Sequence, residues 1–364
     1  MKFKSTVAIS VFCSATSWCQ TPAPANQKSG PGVQATQDPK EADVLKTCKT
    51  PPQGRGGQGK GKGKGGGAAP AAAGPRDYSV TAIAGVIAAG QKWKEVWQVD
   101  GNNADGIIAT KDGGLLIAQN DNSNVVKLDK DGKTSVAYSG LNTSGSVAMN
   151  SKGSLFVVNR GVNESIEELA PVRKTFADKY NGDPIDCLGG GVLNDITADG
   201  KGGVYFTMGG LFHADPQGKI TRYGENLGTN GIVLSADEKH LFVTNTTTLA
   251  EFDVQKDGSL TNQREFAKLE GGGDGSTFDS TNRLYVTVNR AAQAPGQAPI
   301  QGVQVIATDG TDLGLIPTPR GVISVAFSGP DRKTLYAVSR DNAQNKDWII
   351  AIQMIAQGPK GRGK

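Results

Sequence analysis

Short apolar runs bounded by Gly, Asp or Asn recur six times between residues 105 and 352. Leu115-Leu116-Ile117-Ala118, Leu155-Phe156-Val157-Val158 and Val204-Tyr205-Phe206-Thr207 are the first three; Leu241-Phe242-Val243-Thr244, Leu284-Tyr285-Val286-Thr287 and Leu335-Tyr336-Ala337-Val338 are the rest. Their β-branched and aromatic content, with turn residues at each end, is that of strands. No helical period is sustained beside them. Each run follows a shorter apolar segment, and the six units open near Asp105, Gly145, Asn194, Asn230, Asp274 and Ser324, at intervals of 36 to 50 residues. Such a period holds four short strands with their turns, the size of one propeller blade. The expected fold is therefore all-β, a six-bladed β-propeller with a central channel. A pair of β-sandwiches would leave six equivalent units unexplained. In the first unit the strands are expected at 107–109, 115–118, 125–128 and 134–138. The last unit has three, at 322–327, 334–338 and 348–352. The segment Val96-Trp97-Gln98-Val99 is expected to supply its fourth, so that no blade presents an open edge.

The flanks differ in character. Residues 1–19 read as an export signal: Lys2 and Lys4, a modest apolar stretch, then Ser17-Trp18-Cys19 with small residues placed for cleavage before Gln20. The stretch is too short to span a bilayer, and the expected location is periplasmic or secreted, with a lipid anchor on Cys19 as a variant. Residues 20–76 are rich in Pro, Gln, Gly, Ala and Lys and are expected to be a disordered linker. The propeller is expected over 77–355, with a basic tail at 356–364. The net charge of +4 arises in these flanks: residues 77–364 carry 28 basic and 32 acidic residues. A mildly acidic fold does not argue for nucleic-acid binding. Cleavage would leave Cys48 and Cys187, which in an oxidising compartment could form one disulfide tying the tail to the fold.

Residues that open the innermost strands converge at one end of a propeller channel. Here those positions are Asp105, Gly145, Asn194, Asn230, Asp274 and Ser324. The carboxylates of Asp105 and Asp274 with the amides of Asn194 and Asn230 make a hard-cation site suited to Ca²⁺ or Mg²⁺. The absence of His and Cys from these positions argues against zinc or copper. Asp and Asn also serve as ordinary turn residues. However, Asp105-Gly106, Asn230-Gly231 and Asp274-Gly275 recur at equivalent positions in three units and not in the other three, which favours a site over a repeat-encoded turn.

The run Leu193-Asn194-Asp195-Ile196-Thr197-Ala198-Asp199, the run Asn230 to Lys239 and Asp274-Gly275-Ser276-Thr277-Phe278-Asp279 resemble the senescence-marker-protein/gluconolactonase/luciferin-regenerating-enzyme-like family. The likeness covers roughly residues 105–354. It implies a six-bladed propeller with a divalent cation in the channel, Ca²⁺ first, with Mg²⁺, Mn²⁺ or Zn²⁺ as alternatives, and hydrolysis of a small lactone or ester. By position it implies Asp105, Asn194, Asn230 and Asp274 as metal ligands, with Asp274 as general base or nucleophile and Asn194 as a substrate contact. Two places depart from the family pattern. Asp105-Gly106-Ile107 stands where Glu, often before Gly-Pro, is usual, and Val192 stands where sugar-lactone members carry Arg.

Other chemistries lack their motifs. There is no Gly-x-Ser-x-Gly elbow, no Lys-Ser/Thr after the Gly-rich run at 54–67 and no CxxC pair. Two alternatives to lactone hydrolysis share the same site: a non-catalytic propeller pinned by a structural cation, and an organophosphate-type hydrolase. His213 is expected to be structural, its alternative being a proton shuttle at the channel mouth, and His240 is expected to be structural too. The segment 160–187, with Glu164, Glu167, Glu168, Arg173 and Lys174, is read as an insertion, either a lid over the channel or a solvated loop.

Overall fold

The computed structural model describes residues 28–50, 75–189 and 191–361. Six four-stranded antiparallel sheets succeed one another along the chain as the blades of a propeller. Blade 1 runs Ile107–Ala109, Leu115–Gln119, Asn124–Leu128 and Thr134–Tyr138, as expected from the pattern. Blade 2 runs Ser144–Met149, Leu155–Asn159, Ser165–Ala170 and Lys174–Ala177. Blade 3 runs Ile196–Ala198, Val204–Thr207, Leu211–Ala214 and Ile220–Tyr223. Blade 4 runs Thr229–Leu234, His240–Asn245, Thr248–Val254 and Leu260–Lys268. Blade 5 runs Gly272–Phe278, Leu284–Arg290, Ile300–Ile306 and Asp312–Pro317. Blade 6 takes Gly321–Ser328, Thr334–Asp341 and Lys346–Gln353 from the end of the chain and Lys94–Asp100 from before blade 1. That outer strand pairs antiparallel with Lys346–Gln353, from Lys94↔Ala351 to Asp100↔Lys346, and closes the ring as expected.

Burial follows position in the blade. Leu115–Gln119 and Leu155–Asn159 are buried throughout, whereas Thr134–Tyr138 is exposed over four of its five residues. Second strands are covered on both faces by neighbouring sheets, so they read as continuous apolar runs rather than alternating ones. The core lies between blades. Phe156 and Ile166 of blade 2 pack with Ile196, Phe206 and Phe212 of blade 3, and Phe242 of blade 4 meets Phe278 of blade 5 edge-on at 5.6 Å. Each fully buried side chain of this size contributes about 1.5–3 kcal/mol.

Two expectations are corrected. Residues 165–170 and 174–177 are the outer strands of blade 2, so the segment 160–187 is not a lid; the buried Ile166 and Leu169 flank the consecutive Glu167 and Glu168, whose charges mask the strand in the sequence. Residues 28–50, expected to be disordered linker, are packed on the propeller. Ala35 is 1% exposed, a short helix spans Glu41–Leu45, and Cys48 is bonded to Cys187 across 139 residues. The composition of this segment is too poor in apolar residues to announce a fold. Its order comes from the disulfide, and from Asp38, which accepts hydrogen bonds from Ser29 Oγ and from the Gly30 and Lys40 amides. The expected signal at 1–19, the Gly/Lys run at 54–67 and the last residues of the tail lie outside the described residues. Among those described, no helix is long and apolar enough to cross a membrane.

Candidate functional site

The inner strands do not reach the channel as regular ladders. Their registers shift at residue 145 in blade 2, at 230–231 in blade 4, at 274–275 in blade 5 and at 323 in blade 6. In blade 1, Ala118 accepts from the Asp105 amide and donates to the Gly106 carbonyl, and in blade 3 Thr207 does the same across Asn194 and Asp195. Every blade thus sets two inner-strand residues against one on the second strand, the geometry of a β-bulge. Bulges turn one side chain out of the sheet, and they gather beside active sites. Here the first residue of each pair is turned toward the channel and the second is pressed against the next blade. A Cβ on Gly231 would lie 2.1 Å from the Asp274 carbonyl oxygen, so the glycine of Asn230-Gly231 answers to close approach of the strands rather than to a turn.

Asp105, Asn194, Asn230 and Asp274 all line one cavity of about 240 Å³ at this end of the channel. The other two expected positions do not bring side chains to it. Ser324 is the inward member of its bulge, accepting from the Ile107 amide at 3.3 Å, and Ile323 lines the cavity in its stead. Gly145 has no side chain to offer. Val192, in place of the family arginine, is also in the wall.

Two arginines that sequence reasoning missed complete the site. Arg160, at the channel end of the second strand of blade 2, occupies the space above Gly145. Its Nη1 donates to Asp105 Oδ2 at 2.6 Å, its Nη2 to the Asn194 carbonyl and Oδ1 at 2.7 and 2.8 Å, and its Nε to the Leu193 carbonyl at 2.9 Å. Arg340 enters from the second strand of blade 6 and is braced by Asp347, with Nε to Oδ1 at 2.8 Å. Asn120 Nδ2 also donates to Asp105 Oδ2, at 2.8 Å, and Asn194 Nδ2 donates to Asn230 Oδ1 at 2.5 Å. Burial acts to raise the Asp105 pKa, but the Arg160 and Arg340 charges and the Asn120 and Arg160 hydrogen bonds outweigh it and hold the carboxyl below its ordinary value. The one sequence signal for this arrangement is Gly145 itself, a ring position with no side chain.

The packed N-terminal segment forms part of the cavity wall through Gln34. It is fixed there by the Ala35 amide donating to the Arg160 carbonyl at 2.7 Å and the Gly32 amide donating to Thr143 Oγ1 at 2.9 Å.

Three other features are set apart from this site. A larger cavity, about 810 Å³, is bounded by the opposite ends of the inner strands, including Ala109, Leu234 and Phe327, and by Pro359–Gly361. Its carboxylates are already engaged, Asp112 by Lys127 and Thr110 and Glu238 by the Gly200 amide. His213 is 5% exposed, stacked on Tyr205 at 4.4 Å, with Nε2 3.5 Å from Asp199. Asp199 follows the far end of the blade 3 inner strand, so His213 is structural and does not reach the channel mouth. His240, Glu251 and Asp253 bring possible ligand atoms within 4.8 Å of one another on blade 4. The Arg264 guanidinium already fills that position, at 2.7 Å from Glu251 and 2.8 Å from Asp253.

The SMP-30/gluconolactonase/LRE-like family model matches residues 135–341, more than half of the chain. The chain belongs to this family. Among curated relatives, it is 32% identical over 189 residues to lactonase drp35 of Staphylococcus epidermidis, covering 46% of this chain and 50% of that one. The chain thus spans about half the length of the curated relatives it matches first. Among solved structures, a gluconolactonase from Xanthomonas campestris superposes with a TM-score of 0.62 at 19% identity, over 79% of this chain and 98% of that one. A calcium-binding regucalcin from Agrobacterium tumefaciens superposes with a TM-score of 0.58 at 16% identity, over 74% and 96%. These likenesses bear on the fold of this SMP-30/gluconolactonase-family chain, which is the propeller described above.

Proposed function

We propose that this chain hydrolyses lactones or related esters at the Asp105–Asp274 end of its channel, with a divalent cation as cofactor. The observation that carries this reading is the convergence of two carboxylates and two carboxamides, each on a bulge of a different blade, around one cavity. The donor set fits a hard cation: oxygen ligands alone, with no His, Cys or Met among the described residues of the wall. Asp274 and Asn230 on adjacent blades, with Asp105 and Asn194, would hold it. Both hydrogen bonds to Asp105 end on Oδ2, which leaves Oδ1 without a protein donor among the described residues. When bound, the cation would polarise the substrate carbonyl and favour the negative charge that develops on its oxygen. Asp274 would take a proton from the attacking water as the new C–O bond forms and would pass it to the leaving ring oxygen as the acyl–oxygen bond breaks, giving a hydroxy acid. Asn194, fixed by Arg160 and Asn230, would orient the ring. The family relationship and the match to a lactonase support the substrate class. The Cys48–Cys187 disulfide supports residence in an oxidising compartment, hence export.

One observation favours a non-catalytic reading. The cavity, about 240 Å³ with Gln34 in its wall, is smaller than most small-molecule pockets. The full chain should therefore be assayed on aldonolactones and simple γ- and δ-lactones with Ca²⁺, Mg²⁺, Mn²⁺ or Zn²⁺, and with chelator, beside Asp274→Ala. Metal-dependent turnover lost in Asp274→Ala is the expected result. Metal binding without turnover on any lactone would leave a binding propeller or another hydrolase.

A further inference from the structure

The two arginines of the cavity are not equivalent. Every nitrogen of Arg160 has a protein acceptor, and its side chain is 5% exposed. Arg340 is held as firmly on one side only. Nε and Nη2 donate to the two oxygens of Asp347 at 2.8 and 3.2 Å, and Nη2 also donates to the Ala104 carbonyl at 3.1 Å and to Asn102 Oδ1. Asp347, 1% exposed, is itself fixed by the Asn103 and Ala104 amides at 2.9 Å each. Arg340 Nη1 has no acceptor among the described residues, although the side chain lines the cavity and is 22% exposed. A rigidly held guanidinium thus presents one donor nitrogen to the site.

The charges point the same way. Asp105 and Asp274 face the cavity beside Arg160 and Arg340, and Asp347 behind Arg340 sets a third carboxylate against the two guanidinium groups. With a divalent cation in place the site keeps a net positive charge, which favours an anionic ligand. Arginine matches a carboxylate through charge-assisted hydrogen bonds, and fixing it in advance lowers the ordering cost of using it. A neutral lactone would offer Nη1 no charge-assisted hydrogen bond.

We infer that the channel site takes lactones that bear a carboxylate and that Arg340 Nη1 holds that group. The inference rests on the hydrolase reading for the reaction but not for the binding. Two measurements on the full chain separate them. The first compares kcat/KM for γ-carboxy-γ-butyrolactone and its primary amide with Ca²⁺, in wild type, Arg340→Gln and Arg340→Lys. The wild type should prefer the acid. That preference should fall about ten- to a hundredfold in Arg340→Gln, the range of a lost hydrogen bond to a charged group. It should fall at least about tenfold in Arg340→Lys, whose single ammonium is retained by Asp347. A purely structural role would depress both substrates alike and leave the ratio unchanged. An unchanged ratio, or no preference in wild type, overturns the inference. The second measurement is calorimetric titration of 2-hydroxyglutarate, with and without Ca²⁺. If neither lactone is hydrolysed, the hydrolase reading fails by itself. Binding of 2-hydroxyglutarate by wild type and its loss in both variants would then still support the carboxylate subsite, and absence of binding would overturn it.

Discussion

The Arg160 guanidinium lies where a side chain on Gly145 would be: its Nε is 1.9 Å and its Cζ 2.2 Å from the position of a Cβ there. Blade 2 therefore contributes to the ring of channel residues from its second strand instead of its first. The φ of Gly145 is not positive, so the glycine is required by space and not by backbone conformation.

Gly145→Ala should displace Arg160 and break its pair with Asp105. Overpacking of this kind costs about 1–3 kcal/mol. The control is Gly272→Ala, whose Cβ would meet only the Asn289 carbonyl oxygen, at 3.5 Å. Urea denaturation should show the loss in the first variant and little change in the second. Equal midpoints for both would contradict the placement of Arg160.

Asp105→Asn leaves the Arg160 charge buried without its counter-ion, a change of about 3 kcal/mol at neutral pH. Because the native pKa of Asp105 lies below its unfolded value, the stability it contributes is complete above that unfolded value, near 3.8, and is lost as pH falls through the lowered native one. Denaturation midpoints measured from pH 7 to pH 2 should show the wild-type advantage over Asp105→Asn shrinking only at the acid end. An advantage that is constant with pH would rule this out.

His213→Phe keeps a ring to stack on Tyr205 and removes any proton chemistry. If the proposed hydrolysis is observed, kcat/KM for this variant should stay within about twofold of wild type across pH 5–8, where an unperturbed histidine changes charge. Loss of a pH-dependent limb in the rate profile would restore the proton-shuttle role.

Cys48→Ser should release residues 28–50 from their anchor. Removing a native disulfide typically costs about 2–5 kcal/mol, and here it also loosens the segment that carries Gln34. Limited proteolysis should cut within 28–50 in the variant or in reduced protein, before any cleavage in the blades. Resistance equal to that of oxidised wild type would mean that the contacts of Ala35 and Asp38 suffice.

How far the sequence could be read depends on what repeats. The apolar second strands and the Asp105-Gly106, Asn230-Gly231 and Asp274-Gly275 pairs recur in register, so the blades and the four oxygen donors of the cavity were legible. The repeat points to Ser324, one residue too far along, because the bulge at Ile323 shifts which side chain faces the channel, and a bulge leaves no mark in hydropathy. Arg160 and Arg340 stand two residues beyond the bulge partner on their second strands, where the other blades carry Asn120, Gly209, Thr246 and Asn289, so no full period announces them. The order of residues 28–50 depends on one covalent bond and a buried carboxylate, and composition registers neither.

Ring closure by Lys94–Asp100 has a consequence for the order of events during synthesis. The strand made first in the propeller finds its hydrogen-bonding partner only when residues 346–353 have emerged. Until then blade 6 is incomplete, and the apolar faces that blades 1 and 5 turn toward it, with Ile117 and Leu128 on one side and Val303 and Ile316 on the other, lie uncovered. Contacts of such sequence separation slow folding, and an unfinished arc with uncovered apolar faces is the kind of species that associates. An arc that lacks its sixth blade therefore exposes the surface by which copies of the chain could stick to one another, and only the late strand covers it.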